Sequence, residues 1–121
     1  MPKDRRPSIL TVESDETIGR LITGVLKADY DLRSARSGAA ALAVAADTLP
    51  DLILLDVGLP DIDGFEVCRC IKAHALLAEI PVIFLTSRTS TTDEVGGLEA
   101  GGIDYITKPI NPTILRMAQR R

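Results

Sequence analysis

The sequence predicts a doubly wound α/β fold, a five-stranded parallel sheet with helices on both faces. Three observations carry that prediction. Short apolar runs alternate five times with segments of helical pattern, and parallel neighbours need such crossovers. Two of the runs, Leu52-Ile53-Leu54-Leu55 and Val82-Ile83-Phe84-Leu85, are wholly apolar, as befits strands covered on both faces. Four runs stop at polar residues, Glu13, Asp56, Thr86 and Lys108, and the carboxyl ends of strands are where open α/β sheets hold ligands.

Residues 1–7 are polar and flanked by proline, which reads as a loose arm ahead of one domain over 8–121. The first strand is Ser8-Ile9-Leu10-Thr11-Val12. Ser14 or Asp15 can cap the helix that follows, in which Ile18, Leu21, Ile22, Val25 and Leu26 keep helical spacing. Residues 30–35 form a second strand with Tyr30, Leu32 and Ser34 alternating against Asp31 and Arg33, the pattern of an edge strand. Ser37-Gly38 opens an alanine-rich helix to about Asp47, with Leu42, Val44 and Leu49 as its larger apolar members, and Pro50 ends it.

The third strand is the run that stops at Asp56. Turn formers Gly58, Pro60, Asp61, Asp63 and Gly64 follow. Asp63 with Glu66 is a capping pattern for a helix to about His74. Pro81 precedes the fourth strand. Ser90 or Thr91 then caps a fourth helix with Asp93 and Glu94 in its first turn, where the helix dipole favours them. Gly96-Gly97 sits in its middle, each glycine costing about 1 kcal/mol relative to alanine, which predicts the least rigid helix. Gly101-Gly102 ends it. The fifth strand is 103–107, and Asn111 caps a last helix with Pro112 at its first position. That helix stops in mid-pattern at Arg120-Arg121, so the domain reads as excised from a longer protein.

Composition narrows the function classes. A net charge of -3 argues against a nucleic-acid surface. No apolar run approaches the roughly 18 residues of a membrane span, and the polar start carries no signal-peptide pattern. Cys68 and Cys70 lie two apart on a predicted helix, so their side chains diverge and stay reduced, consistent with a cytoplasmic protein. One C-x-C with a single histidine is a poor zinc signal.

In a parallel sheet the strand ends share one edge, so Glu13, Asp56, Thr86 and Lys108 converge on one crevice. Their chemistry suits phosphoryl transfer. Asp56 is a candidate nucleophile, since carboxylates form acyl phosphates. Glu13 and Asp56 would repel each other unless a hard cation lay between them, and Mg²⁺ takes oxygen ligands. Lys108 offers a point charge to a phosphate oxygen, and the Thr86 hydroxyl a hydrogen bond. Taken singly, each has a bland reading: Asp56 as a turn former, Thr86 as an ordinary strand end, Lys108 as a solvated cation. Their shared position on successive strand ends favours the chemical one.

The chain resembles receiver domains of two-component response regulators from Ser8 to about Met117. The segments ILTVESDE, LILLDVGLPDIDGFEV, IPVIFLTS and GIDYITKP carry the resemblance. It implies a flavodoxin-like sheet in order 2-1-3-4-5 wrapped by five helices. It also implies that Asp56 takes a phosphoryl group from a phosphohistidine on a sensor histidine kinase or phosphotransfer protein. Thr86 and Lys108 would contact that group, and the Gly58 carbonyl would join Glu13 and Asp56 at Mg²⁺. Ser87 is small enough to leave a path for the phosphoryl group. Tyr105 matches the aromatic that turns inward when Thr86 moves, and a cis Lys108-Pro109 bond would aim the lysine. The switched surface, fourth helix, fifth strand and fifth helix, would act on an output domain or form a homodimer. The tail KPINPTILRMAQRR resembles receivers fused to cyclic-di-GMP enzymes, with a hybrid kinase or a DNA-binding regulator as alternatives. The domain itself would touch neither nucleic acid nor membrane, and its only chemistry would be its own phosphorylation and dephosphorylation.

One position departs from the pattern. In the family it resembles, two acidic residues usually follow the first strand, and here those two positions hold Glu13 and the uncharged Ser14. Either Glu13 reaches the metal, Asp15 takes over, or metal affinity is low, and weakened Mg²⁺ binding is expected. The alternative function is a pseudo-receiver, a docking module that is not phosphorylated. Phosphatases of the haloacid dehalogenase type need a second Asp two residues after the nucleophile, where Gly58 stands. A flavodoxin-like FMN binder needs a Ser/Thr/Gly-rich loop where Glu13-Ser14-Asp15-Glu16 would repel phosphate unless a metal intervened.

Overall fold

The computed structural model describes residues 6–86 and 104–107. Its strands are β1 (Ser8–Val12), β2 (Asp31–Ala35), β3 (Leu52–Asp56), β4 (Val82–Thr86) and β5 (Asp104–Thr107). They form one five-stranded sheet in the order β2-β1-β3-β4-β5, with every pairing parallel. Helices α1 (Glu16–Leu26), α2 (Gly38–Thr48) and α3 (Gly64–Ala73) make the first three crossovers. The predicted fourth helix with Gly96-Gly97, its end at Gly101-Gly102, and the last helix from Asn111 lie outside the described residues, as do residues 1–5.

Side-chain alternation along the central strands builds two cores. Leu10, Val12, Ile53, Leu55, Val82 and Phe84 point to one face, where Ala41 and Ala45 of α2 and Val67, Cys68 and Ile71 of α3 cover them. Ile9, Leu54, Ile83 and Leu85 point to the other face, against Ile22 and Leu26 of α1. Phe65 meets Phe84 edge to face, with centroids 5.0 Å apart. β3 and β4 are therefore buried on both faces, as their unbroken apolar runs require. Truncating a fully buried residue such as Leu54 should cost about 2–5 kcal/mol.

The helix starts follow the capping logic of the sequence. Asp15 Oδ1 accepts from the amides of Thr17 (2.8 Å) and Ile18 (3.2 Å). Ser37 Oγ accepts from Ala40 N–H at 3.2 Å, and Asp63 Oδ1 from Phe65 N–H at 2.8 Å. Glu66, the other half of the expected capping pattern, pairs with Arg69 at 3.1 Å.

Two exposed positions depart from the simple phase of their elements. Leu49, counted in the sequence among the larger apolar members of α2, is 48% exposed. It is the helix C-cap, in the left-handed region at φ 48, so it leaves the helical phase and its side chain turns out. The sheet side of α2 is carried instead by Ala41 and Ala45, whose small size lets the helix lie close. In β2, Ser34 is exposed although it alternates in phase with Leu32. It lines a groove of about 400 Å³ between α1 and the sheet, where Gly19 and Gly24 on α1 leave the space open.

Arg6 and Pro7, the end of the expected loose arm, are tied down. Arg6 donates to the Lys27 carbonyl at 3.1 Å, and Asp31 N–H donates to the Pro7 carbonyl at 2.9 Å.

Candidate functional site

The sheet register sets the site. Val12 pairs with Leu55 between β1 and β3, so the next residue of each strand, Glu13 and Asp56, lies at adjacent strand ends. Asp56 pairs with Leu85 between β3 and β4, and Thr86 pairs with Thr107 between β4 and β5. Glu13, Asp56 and Thr86 thus stand on the carboxyl-terminal edge of three neighbouring strands. Tyr105 lies on β5 beside Phe84, lower in the sheet. Lys108, the cis peptide expected before Pro109, and Ser87 lie outside the described residues.

Both carboxylates are buried, Glu13 at 5% exposure and Asp56 at 4%. Glu13 is anchored through its backbone, its N–H donating to the Ala35 carbonyl at 3.1 Å. Its Oε2 accepts from Asp15 N–H at 3.1 Å. Asp56 Oδ1 accepts from Gly58 N–H at 3.1 Å, folding the loop after β3 back over the strand end. Two buried carboxylates at neighbouring positions are costly unless positive charge or hydrogen bonds offset them.

The loop from Val57 to Asp63 is held at several points. Gly64 N–H donates to the Val57 carbonyl at 2.9 Å, bringing the start of α3 against the end of β3. There is no room for a side chain there: a Cβ on Gly64 would sit 2.3 Å from the Asp56 carbonyl oxygen and 2.7 Å from Val57 Cα. Asp63 caps α3, and Asp61 reaches α2, its Oδ1 accepting from Gly38 N–H at 2.8 Å and its Oδ2 from Ala39 N–H at 3.0 Å. Of the two acids flanking Ile62, Asp63 thus caps its own helix, while Asp61 binds the first amides of α2, whose cap is Ser37.

The donor set suits a hard cation in chemistry more than in number. Glu13 and Asp56 supply two buried carboxylates, and Gly58 a backbone carbonyl on an exposed loop open to water, which is an oxygen-only set of the kind Mg²⁺ takes with retained waters. Among the described residues no three His, Cys, Asp or Glu side chains converge as a metal group. Ser14 is half-buried and its carbonyl accepts from Arg36 at 3.1 Å. Asp15 is exposed and its Oδ1 is engaged as the α1 cap.

The chain matches the response regulator receiver domain family over residues 9–120. It belongs to that family. Among similar proteins is the response regulator PleD of Caulobacter vibrioides, 44% identical over 108 residues, covering 88% of this chain and 24% of PleD. The chain spans about a quarter to a half of the length of the curated relatives it matches. Among solved structures, the BeF3-activated receiver domain of Klebsiella pneumoniae RstA has a TM-score of 0.85 at 37% identity, covering 93% of this chain and 95% of that one. The Mn²⁺-bound form of response regulator Rcp1 has a TM-score of 0.80 at 35% identity, covering 94% of this chain and 90% of that one. This receiver domain is thus a module of two-component signal transduction. Among its described residues no helix is long and apolar enough to cross a membrane.

Sequence reasoning placed Glu13, Asp56 and Thr86 on one edge, and the register agrees. It did not find what Asp61 caps or the close approach at Gly64. The only sequence signal for either is the density of Gly, Pro and Asp after β3, which marks a tight loop without naming its partners.

Proposed function

We propose that this domain accepts a phosphoryl group on Asp56 from a phosphohistidine on a sensor kinase or phosphotransfer protein. The observation that carries the reading is Asp56 itself: a buried carboxylate at the end of the central strand, one strand from the buried Glu13, under a loop whose Gly58 amide already bonds it. An Asp56 oxygen bonds to phosphorus, the phosphorus–nitrogen bond breaks, and its electron pair stays on the imidazole. Glu13, Asp56 and the Gly58 carbonyl would hold Mg²⁺, whose charge offsets that of the transferred group. Support for a divalent cation comes from the Mn²⁺ in Rcp1. Support for phosphoryl chemistry comes from the BeF3 activation of the RstA receiver, since BeF3 imitates a phosphoryl group. Lys108 and Thr86 would receive the phosphoryl oxygens.

The phosphoryl group adds roughly -1.5 to -2 charges. We assign it the role of drawing Thr86 inward and freeing space for Tyr105, which reshapes the surface of residues 87–106 and beyond for an output domain or a second copy. The setting is cytoplasmic. Amide exchange before and after phosphorylation checks the switch, and unchanged exchange over 87–106 refutes it.

Incubation with acetyl phosphate and Mg²⁺ followed by intact mass tests phosphorylation. One added phosphoryl group in the parent and none in Asp56→Asn is the expected result. A second reading, a docking module that is never phosphorylated, is favoured by Ser14 and by the commitment of Asp15 to its cap; it predicts no mass change in either protein. The Ser14 substitution also predicts weak metal binding. Ser14→Asp should bind Mg²⁺ more tightly, and equal affinities would count against a role for this position.

A further inference from the structure

Asp61 lies in the same loop as Gly58, but its partners belong to another helix. Its two carboxylate oxygens take the amides of Gly38 and Ala39 at 2.8 and 3.0 Å, while Ser37, the cap of α2, takes the amide of Ala40 at 3.2 Å. The unpaired donors at the start of α2 are thus shared between the helix's own cap and a residue more than twenty positions away in sequence. Side chains close the same contact. A Cβ on Gly38 would sit 2.8 Å from Val67 Cγ2 and 3.0 Å from Ile62 Cβ, so the loop and α3 are pressed directly onto the first residue of α2. The Gly38 and Ala39 amides also hold the Asp61 carboxyl below its usual value of 3.8, so it is ionised at neutral pH.

Gly58 lies between this clamp and Asp56. Its amide bonds Asp56 Oδ1, and its carbonyl is the metal ligand proposed above. We infer that Asp61 is a positioning residue for the phosphoacceptor site: by pinning the β3–α3 loop to the start of α2, it fixes Gly58 against Asp56. The inference rests on the phosphoacceptor reading, because the site that Asp61 positions is the one proposed there; Asp61 itself is assigned no contact with substrate or metal. It also makes the start of α2 part of the site's support, so a contact that shifts α2 would shift Gly58.

The test compares Asp61→Ala, Asp61→Asn and Ser37→Ala in the full chain. Ser37→Ala removes a cap from the same helix without touching the loop, so it reports what loss of helix stability alone does. Three quantities are read: hydrogen exchange at the Gly58 amide, the Mg²⁺ dissociation constant from the shift of that amide, and the rate of phosphorylation by acetyl phosphate. Asp61→Ala should raise Gly58 exchange and weaken Mg²⁺ binding, each by roughly tenfold, and should slow phosphorylation. Asp61→Asn keeps one acceptor and should fall between it and the parent. Ser37→Ala should leave all three within about twofold of the parent while lowering the melting temperature. The inference is overturned if Asp61→Ala leaves Gly58 exchange and Mg²⁺ affinity unchanged, or if Ser37→Ala alters them equally. Should Asp61→Ala not fold, the same comparison between Asp61→Asn and Ser37→Ala decides. If the parent takes no phosphoryl group, the phosphoacceptor reading fails, and Gly58 exchange still decides whether Asp61 positions the loop.

Discussion

Replacing Gly64 with alanine should destabilise the domain, although Gly→Ala in a helix usually has the opposite effect. The atoms that a Cβ would meet are all backbone, the Asp56 carbonyl oxygen at 2.3 Å, Val57 Cα at 2.7 Å and the Asp56 carbonyl carbon at 3.0 Å. No rotamer change can relieve such a clash, so the start of α3 must move off the end of β3. Overpacking of this kind costs about 1–3 kcal/mol. The movement also strains the bond from Gly64 N–H to the Val57 carbonyl, which contributes about 1 kcal/mol. Against these stands a gain of about 0.4–1 kcal/mol from a less flexible unfolded chain. The net expectation is a loss of about 1–3 kcal/mol, read as a lower urea midpoint with an unchanged m-value. Gly19→Ala and Gly24→Ala on α1 are the controls. A Cβ at either position meets nothing within 4 Å, so both should stabilise by about 0.4–1 kcal/mol. A Gly64→Ala protein as stable as the parent would refute the claim that the loop is packed against the strand end.

Three further outcomes follow from other contacts of the domain. Burial pushes the Cys68 thiol up to about 11, while Cys70 is exposed; alkylation of the folded protein near neutral pH should add one adduct, and peptide mapping should place it on Cys70. Lys72 donates to the carbonyls of Ala78 (3.2 Å) and Ile80 (2.6 Å), closing the α3–β4 connection; Lys72→Met should cost about 1–3 kcal/mol in chemical denaturation while phosphorylation by acetyl phosphate is unaffected. Because the folded-state pKa of Asp61 is depressed below 3.8, its stabilisation is fully present above that value and is lost as pH falls through the folded pKa. The stability gap between the parent and Asp61→Asn should therefore hold constant from neutral pH down to about 3.8 and close below it, as followed by urea midpoints across pH.

Strands and helix starts were legible because each rests on a local signal. The run from Ser8 to Val12 became β1, and Asp15, Ser37 and Asp63 each became the cap that their position suggested. The strand-end edge was legible for the same reason, since the parallel topology forces Glu13 and Asp56 together once both strands are placed. What escaped was set by local backbone turns and by tertiary contact. Leu49 is apolar enough for a core, yet the left-handed turn that closes α2 takes its side chain out. Ser34 has the phase of an inward residue, yet the glycines of α1, far from it in sequence, leave that site open. Gly64 and Asp61 read as turn formers because their partners, the Asp56 carbonyl and the α2 amides, are fixed only by the folded arrangement.

The claim on which the rest depends is that Asp56, and no other carboxylate, carries the phosphoryl group. An acyl phosphate on aspartate is reduced by borohydride to homoserine, which marks its position covalently. After incubation with acetyl phosphate and Mg²⁺, reduction and peptide sequencing should find homoserine at position 56 alone. Homoserine at another acidic residue, or at none, would contradict the account.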